Sequence, residues 1–473
     1  MSIKTATAVE PFSYELDSLP ATGPTTAAPS RVASTDRVAL ELDHESESQR
    51  EEEAVALPPV DGGVRAWTFV FCAFILETLV WGFPFSYGVF QEYYLSSPTS
   101  PFLGASESAI NAIGTITLGI QYMEGLAVMF LTQKYPRWTK PMMVMSLATC
   151  VGALVLSSFA SRVWHLILLQ GVVYGVAGGA LYMPIVGWLN EWFVERRSLA
   201  GSFIFGGSGL GGASFPILAN ALLQHIGFRW TLRIMAALVG ILGGLALLGA
   251  NPRLPVARRA APAPWDFSFV RQPVFLFVAA TIFIQGLSYF PVSLYIPSYA
   301  ASLGFSSLNG TLALAAFNLS TVLGQVVFGY YCDRGPYTTA MIGSAVLSSV
   351  FAFVLWGFAR SLVLIYVFAV MFGSISGGFS SIFPPAAADV SSTQAIAPFM
   401  LFACAKGLAA ITGPFIAAAL HPKSASLHPV ANAGGWSGYG FTAMTIFVGS
   451  GMVATAALSG GVVAFRRRNM KAE

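Results

Sequence analysis

Residues 230–299 read in three pieces: WTLRIMAALVGILGGLALLGA (230–250), NPRLPVARRAAPAPWDFSFVRQ (251–272) and PVFLFVAATIFIQGLSYFPVSLYIPSY (273–299). The first and third are long and apolar enough to cross a bilayer as helices, which takes about 20 residues each. The middle piece is not. It holds Pro252, Pro255, Pro262 and Pro264 and the basic residues Arg253, Arg258, Arg259 and Arg271. It reads as a basic linker between two membrane-embedded sections.

The whole chain has the composition this reading needs. It is 55% hydrophobic and 10% charged, against about 25% charged in a soluble domain. So few charges cannot clothe a water-facing surface, so lipid is the expected surroundings. Backbone groups in lipid must be paired within the segment, so each apolar run should be a helix. Before the linker, spans are predicted near 67–93, 108–132, 142–160, 164–189, 199–222 and 230–250. After it they are predicted near 274–299, 308–331, 339–358, 362–387, 395–420 and 440–465. The expectation is an all-α membrane protein with twelve transmembrane helices in two six-helix bundles, 61–250 and 273–466. A cytosolic linker over 251–272 joins them. An acidic, disordered cytosolic tail over 1–60 precedes them, with eleven acids against four basic residues, and a short cytosolic tail over 467–473 follows.

Lys and Arg set the expected orientation. One side of the spans collects Arg65, Lys134, Arg137, Lys140, Arg196, Arg197, the linker arginines, Arg334, Arg466 to Arg468 and Lys471; the other holds Arg162, Arg229, Arg360 and Lys423. Both termini are therefore expected in the cytoplasm, with the plasma membrane as the default location. The halves also echo each other. The fifth span runs from Arg197 through a row of glycines to Pro216, and the eleventh from Gln394 through Lys406, Gly407 and Gly413 to Pro414. Parallel repeats related by an axis along the membrane normal leave such an echo.

Several short stretches agree with these spans. They are Asp61-Gly62-Gly63 ahead of the first, Ser86-Tyr87-Gly88-Val89-Phe90-Gln91-Glu92 at its end, and Glu191-Trp192-Phe193 with Arg196-Arg197 between the fourth and fifth. Gly227-Phe228-Arg229-Trp230 enters the sixth, and Gly329, Asp333, Arg334 and Gly335 follow the eighth. In that order they resemble the major facilitator superfamily and, within it, the monocarboxylate porter family in its fungal form. The resemblance covers residues 61–465. It implies the major facilitator fold and secondary transport, with a monocarboxylate-like anion and proton symport as the family expectation. The chain departs from the family where it matters for that expectation. The lysine, aspartate and arginine of the animal branch fall near Phe85, Thr321 and Gln325.

Charge at bilayer depth is costly, about 2.5–3.5 kcal/mol on insertion scales, so each buried charge is a functional candidate. Glu77 and Glu124 are candidate proton carriers, and Lys406 is the candidate for attracting an anionic substrate or pairing with one of those acids. Phe85, Gln121, Gln285, Tyr289, Asn318 and Gln325 are candidate lining residues of a central pathway. Asp333 and Arg334 are read as a gating pair, and Arg233 as reaching the outer surface. The four cysteines are dispersed and form no metal-ligand pattern, and no metal or cofactor is expected. Expected partners are the lipid bilayer, a small-molecule substrate and protons, with no nucleic acid.

Other classes fit poorly. No Gly-x-x-x-x-Gly-Lys-Ser/Thr loop marks a pump, and the five scattered histidines supply no catalytic cluster, so an enzyme is not expected. Among carriers, two cargoes compete: a small monocarboxylate, favoured by Lys406, and a larger fungal metabolite, favoured by loss of the charged trio. A non-transporting sensor with a carrier fold is the rival from another class.

Overall fold

The computed structural model describes residues 58–255, 266–391, 395–421, 436 and 440–472, with the side chains of 197–198 and 467–472 outside that description. The expected acidic tail as far as residue 57, residues 256–265 of the linker and Lys423 lie outside the described residues. The helices in chain order are α1 (Gly63–Ser96, with one irregular step at Ser86), α2 (Glu107–Met123 continued by Gly125–Lys134), α3 (Pro136–Ser157), α4 (Val163–Trp192) and α5 (Arg197–Gly249). After the linker come α6 (Pro273–Ser302), α7 (Ser307–Cys332), α8 (Tyr337–Trp356), α9 (Leu362–Val390), α10 (Ile396–Leu420) and α11 (Thr442–Ala472).

Among the described residues, ten helices are long and apolar enough to cross a membrane, and α2 makes eleven if its two pieces count as one span. Two helices differ from the sequence expectation. The break predicted between residues 222 and 230 narrows to one residue: helix runs through α5 except at Gly227, whose φ of 72° and ψ of 175° turn the chain. A side chain disfavours that backbone, and glycine does not. Conversely, α2 was expected to run unbroken and instead bends by 43° at Glu124.

The repeat is plainer in three dimensions than in sequence. Leu103-Gly104-Ala105-Ser106 precedes α2, and Leu303-Gly304-Phe305-Ser306 precedes α7. Gly104 and Gly304 both take positive φ (86° and 82°). Ser106 and Ser306 then cap their helices, accepting from the N–H of Ala109 and Asn309, a device worth about 1 kcal/mol. The second helix of each half thus starts with the same turn. Four residues that differ at one position are too short a match to stand out without the backbone.

The halves meet along two seams that mirror one another. The Glu107–Met123 piece of α2 packs on α10, and α5 packs on α7. In the first seam the glycines touch: a Cβ added to Gly407 would lie 2.7 Å from the Gly119 carbonyl oxygen and 2.8 Å from the Met123 side chain. Small residues permit that approach, and dispersion over the close backbones replaces the hydrophobic drive that lipid does not supply.

The end of the molecule that carries residues 97–106 and 303–306 is closed by side-chain bonds between the halves. At the closed end, Asn111 donates to the Tyr295 hydroxyl (2.7 Å), Tyr295 donates to Glu107 (2.6 Å), and His421 faces the other Glu107 oxygen at 3.3 Å. Ser307 donates to Asn220 (2.6 Å), and deeper in the bilayer Asn318 donates to the Gly212 carbonyl (2.7 Å). All these bonds cross between halves. One apolar core accordingly runs through the first half and on into the closed end of the second. At the linker end the second half keeps a core of its own, built from Phe275, Val278, Met341, Phe379, Phe402 and their neighbours.

Each half is also fastened at the linker end. Asp61, with φ of 60°, accepts from the N–H of Val194 (2.8 Å) and Arg196 (2.9 Å) and donates its own N–H to the Trp192 carbonyl. In the second half, Asp389 accepts from Tyr337 (2.8 Å) and pairs with Arg466 (2.9 Å), joining α8, α9 and α11.

Candidate functional site

The Gly407–Gly119 contact presses α10 onto α2 and so carries Lys406 against Tyr122. Lys406 is 3% exposed. Its ammonium donates to the Ser380 hydroxyl, in the tight turn 378–382 of α9. Three rings surround it: Tyr122 from the first half at 5.7 Å, and Tyr289 and Phe383 from the second at 5.5 and 5.4 Å. Each such contact is worth about 0.5–2 kcal/mol, so the rings hold the cation while leaving its hydrogen bonds to others. Lys406 was expected either to attract an anionic substrate or to pair with a buried acid. Among the described residues it pairs with no acid, and Ser380 is its hydrogen-bond partner.

Across the seam, Tyr122 lies 4.9 Å from Trp81, which stacks on Phe85 at 5.7 Å. Trp81 is one turn beyond Glu77 on α1. Glu77, 3% exposed, faces Trp81 and the Tyr182 hydroxyl of α4, and its Oε2 has no hydrogen-bond partner among the described residues. Tyr289, 5.4 Å from Phe290, turns its hydroxyl to Thr321 at 3.3 Å. The structure therefore gathers Glu77, Phe85, Tyr289 and Lys406 around one aromatic wall between the halves. Tyr122, Trp81, Tyr182, Ser380 and Phe383 complete it. Sequence reasoning passed over these five, although Trp81 at four residues from Glu77 was a usable signal.

Residues 66–414 match the profile of the Major Facilitator Superfamily. The chain belongs to the Major Facilitator Superfamily. It is 31% identical over 340 residues to MFS-type transporter 1 of Ophiocordyceps sp., a match covering 71% of this chain and 74% of that protein. It is also 31% identical to the agnestins efflux protein AgnL12 of Paecilomyces divaricatus, covering 70% and 75%. Its fold is similar to that of the nucleoside transporter NupG, with a TM-score of 0.60 at 15% identity, over 85% of this chain and 99% of that one. A peptide transporter POT in complex with sulfate gives 0.62 at 15% identity, over 88% and 98%. Family membership also makes the chain a transporter and not an enzyme.

In this superfamily member most of the remaining predicted site residues make contacts with neighbouring helices. Gln121 reaches the Val80 carbonyl of α1 at 3.4 Å and Glu124 lies against Gly179 of α4, both within the first half. Gln285 donates to the Ser376 carbonyl (2.9 Å) and hydroxyl (3.0 Å), tying α6 to α9. Asn318 is a seam residue, and the Gln325 carbonyl accepts from Ser381 at 2.8 Å. Asp333 and Arg334 do not pair with each other among the described residues. Arg334 stacks on Tyr330 at 3.6 Å and donates to the Tyr330 carbonyl, because the helix end places that ring directly under the guanidinium. Arg233 lies between Phe159 and Trp230 and donates to Ser158 (3.1 Å). No group of three or more His, Cys, Asp or Glu that could hold a metal occurs among the described residues.

Proposed function

We propose that this protein is a secondary active transporter that carries an organic anion across the bilayer by alternating access. The observation that carries the reading is Lys406, a charge buried between the halves, with a serine hydroxyl as its hydrogen-bond partner and rings for walls. A cation with no acidic partner is expensive there, and an anionic cargo offsets that cost when bound. Closure at the end that carries residues 97–106 and 303–306 belongs to one of the two states alternating access requires. With the two arms of α5 counted separately, the chain makes twelve crossings. The charge asymmetry is the ground for taking both termini and the linker end as cytoplasmic, and the plasma membrane is the default host. The bundles are 61–250 and 273–466. Glu77, buried beside the same rings, is the candidate for coupling to protons.

Two cargoes remain in view. A small monocarboxylate suits the porter family that the sequence resembles, but Phe85, Thr321 and Gln325 stand where that family's charges would be. A larger, partly apolar metabolite moved outward suits the relatives, among them the agnestins efflux protein and an aspyridones efflux protein of Emericella nidulans, 27% identical. The aromatic wall favours the second.

The test is flux of radiolabelled organic acids into proteoliposomes holding the purified chain, with and without a pH gradient. Lys406→Ala should abolish flux of any anionic cargo. Full activity in that variant would remove the anion site, and binding without flux in the wild type would make the chain a sensor.

A further inference from the structure

We infer that the cargo is a planar aryl acid with a hydrogen-bonding group at the end remote from its carboxylate, laid along the rings between Lys406 and Glu77. The inference rests on the transport reading above and adds the class of molecule to it.

Two polar groups beside the wall are incomplete. An ammonium has three donors. Ser380 is the hydrogen-bond acceptor of Lys406 among the described residues, which leaves two donors for an incoming group. A carboxylate supplies both acceptors and the opposite charge, the strongest partner an ammonium has. On the other half, the Glu77 Oε2 is buried and without a hydrogen-bond partner among the described residues. A buried carboxyl oxygen left in that condition costs free energy, and a hydroxyl from the cargo would satisfy it.

Between these two polar ends the wall is aromatic. Tyr122 sits next to the ammonium and 4.9 Å from Trp81, and Trp81 is the residue that Glu77 faces. Tyr122 and Phe85 are half-buried, so the wall presents ring surface for contact. Ring pairs in offset or tilted contact add about 0.5–1.5 kcal/mol beyond burial of area. A saturated body fills the same space without that term. The arrangement therefore selects a flat, conjugated body with a polar group at each end, not an aliphatic acid of equal length. Because the ends belong to different halves, such a cargo bridges them.

Three probes of one length separate the parts: 3-cyclohexylpropanoate, 3-phenylpropanoate and 3-(4-hydroxyphenyl)propanoate. Their binding to the purified full chain is read by quenching of tryptophan fluorescence. The phenyl acid should bind about fivefold tighter than the cyclohexyl acid, and the hydroxyphenyl acid about tenfold tighter again. Glu77→Leu should erase the advantage of the hydroxyl and keep that of the ring. Lys406→Gln should lose all three probes, whereas Lys406→Arg, which keeps the charge and reports on folding, should retain measurable binding. Equal affinities for the cyclohexyl and phenyl acids, with Lys406 still required, would overturn the aryl class and leave the transport reading standing. Equal binding of every probe to wild type and Lys406→Gln would overturn both. Absence of saturable binding by all three would overturn the class.

Discussion

Replacing Tyr295 by Phe removes one hydroxyl and nothing else from the closed end. That hydroxyl donates to a Glu107 oxygen at 2.6 Å and accepts from the Asn111 amide at 2.7 Å, and both partners are on the opposite half. A hydrogen bond to a charged group contributes about 1.5–3 kcal/mol and a neutral one about 1. Asn111 is fully buried and its Oδ1 already lacks a partner, so the variant leaves the amide with none. When this end opens, water solvates the same groups, so the loss falls on the closed state alone. A destabilisation of roughly 2–4 kcal/mol lowers the closed-to-open ratio by roughly 30- to 700-fold. A population closed 99:1 would then fall to about 3:1 at the mild end of that range. Spin labels at Leu103 and Leu308, exposed residues on opposite halves, read the change as a distance distribution. The variant should gain a longer component that the wild type lacks. An unchanged distribution in a monodisperse variant would refute the assignment of this network as the lock of the closed end.

The other predictions concern the seam and the linker end. Gly407→Ala puts a methyl 2.7 Å from the Gly119 carbonyl oxygen; overpacking of that kind costs about 1–3 kcal/mol, so the variant should lose thermal stability and flux together, and unchanged melting would contradict the close approach. The backbone N–H of Arg196, with those of Glu195 and Val194, holds the Asp61 carboxyl below its ordinary 3.8. A depressed value gives stabilisation that is present above the unfolded pKa and lost only as pH falls below it. The Asp61 clamp should therefore stay shut from pH 8 to 5, and a fluorophore at Val64 that titrates within that window would argue against it. Asp61→Ala should instead release the start of α1 at every pH in that range, read as faster hydrogen exchange at Val64 and Arg65.

The fold was legible in the sequence because lipid imposes a coarse code. Length, apolarity and the Pro/Arg-rich linker located most of the spans. The code does not resolve single residues: Gly227 turns a helix that composition alone would have interrupted for seven residues, and Glu124 sits at a bend that nothing apolar announces. The candidate site was legible only in part. Glu77 and Lys406 stood out as costly charges, and both are buried between helices. Gln121, Gln285 and Asn318 looked equally polar, and each donates an amide N–H to a backbone carbonyl of a neighbouring helix. A helix in lipid is apolar on every side, so the pattern that reveals the inward face of a soluble helix is missing. Which side of α2 carries Tyr122 and which carries Gln121 became clear only when α10 and α4 were in place.

Lys406, as the anchor of an anionic cargo between the halves, underlies both the transport reading and the aryl class. The most direct measurement is a structure of the full chain, in nanodiscs, determined with 3-phenylpropanoate or its hydroxylated counterpart. Ligand density is expected with its carboxylate within hydrogen-bond distance of the Lys406 ammonium and its ring against Tyr122. Density placed elsewhere, with Lys406 still bound only to Ser380, would contradict that role.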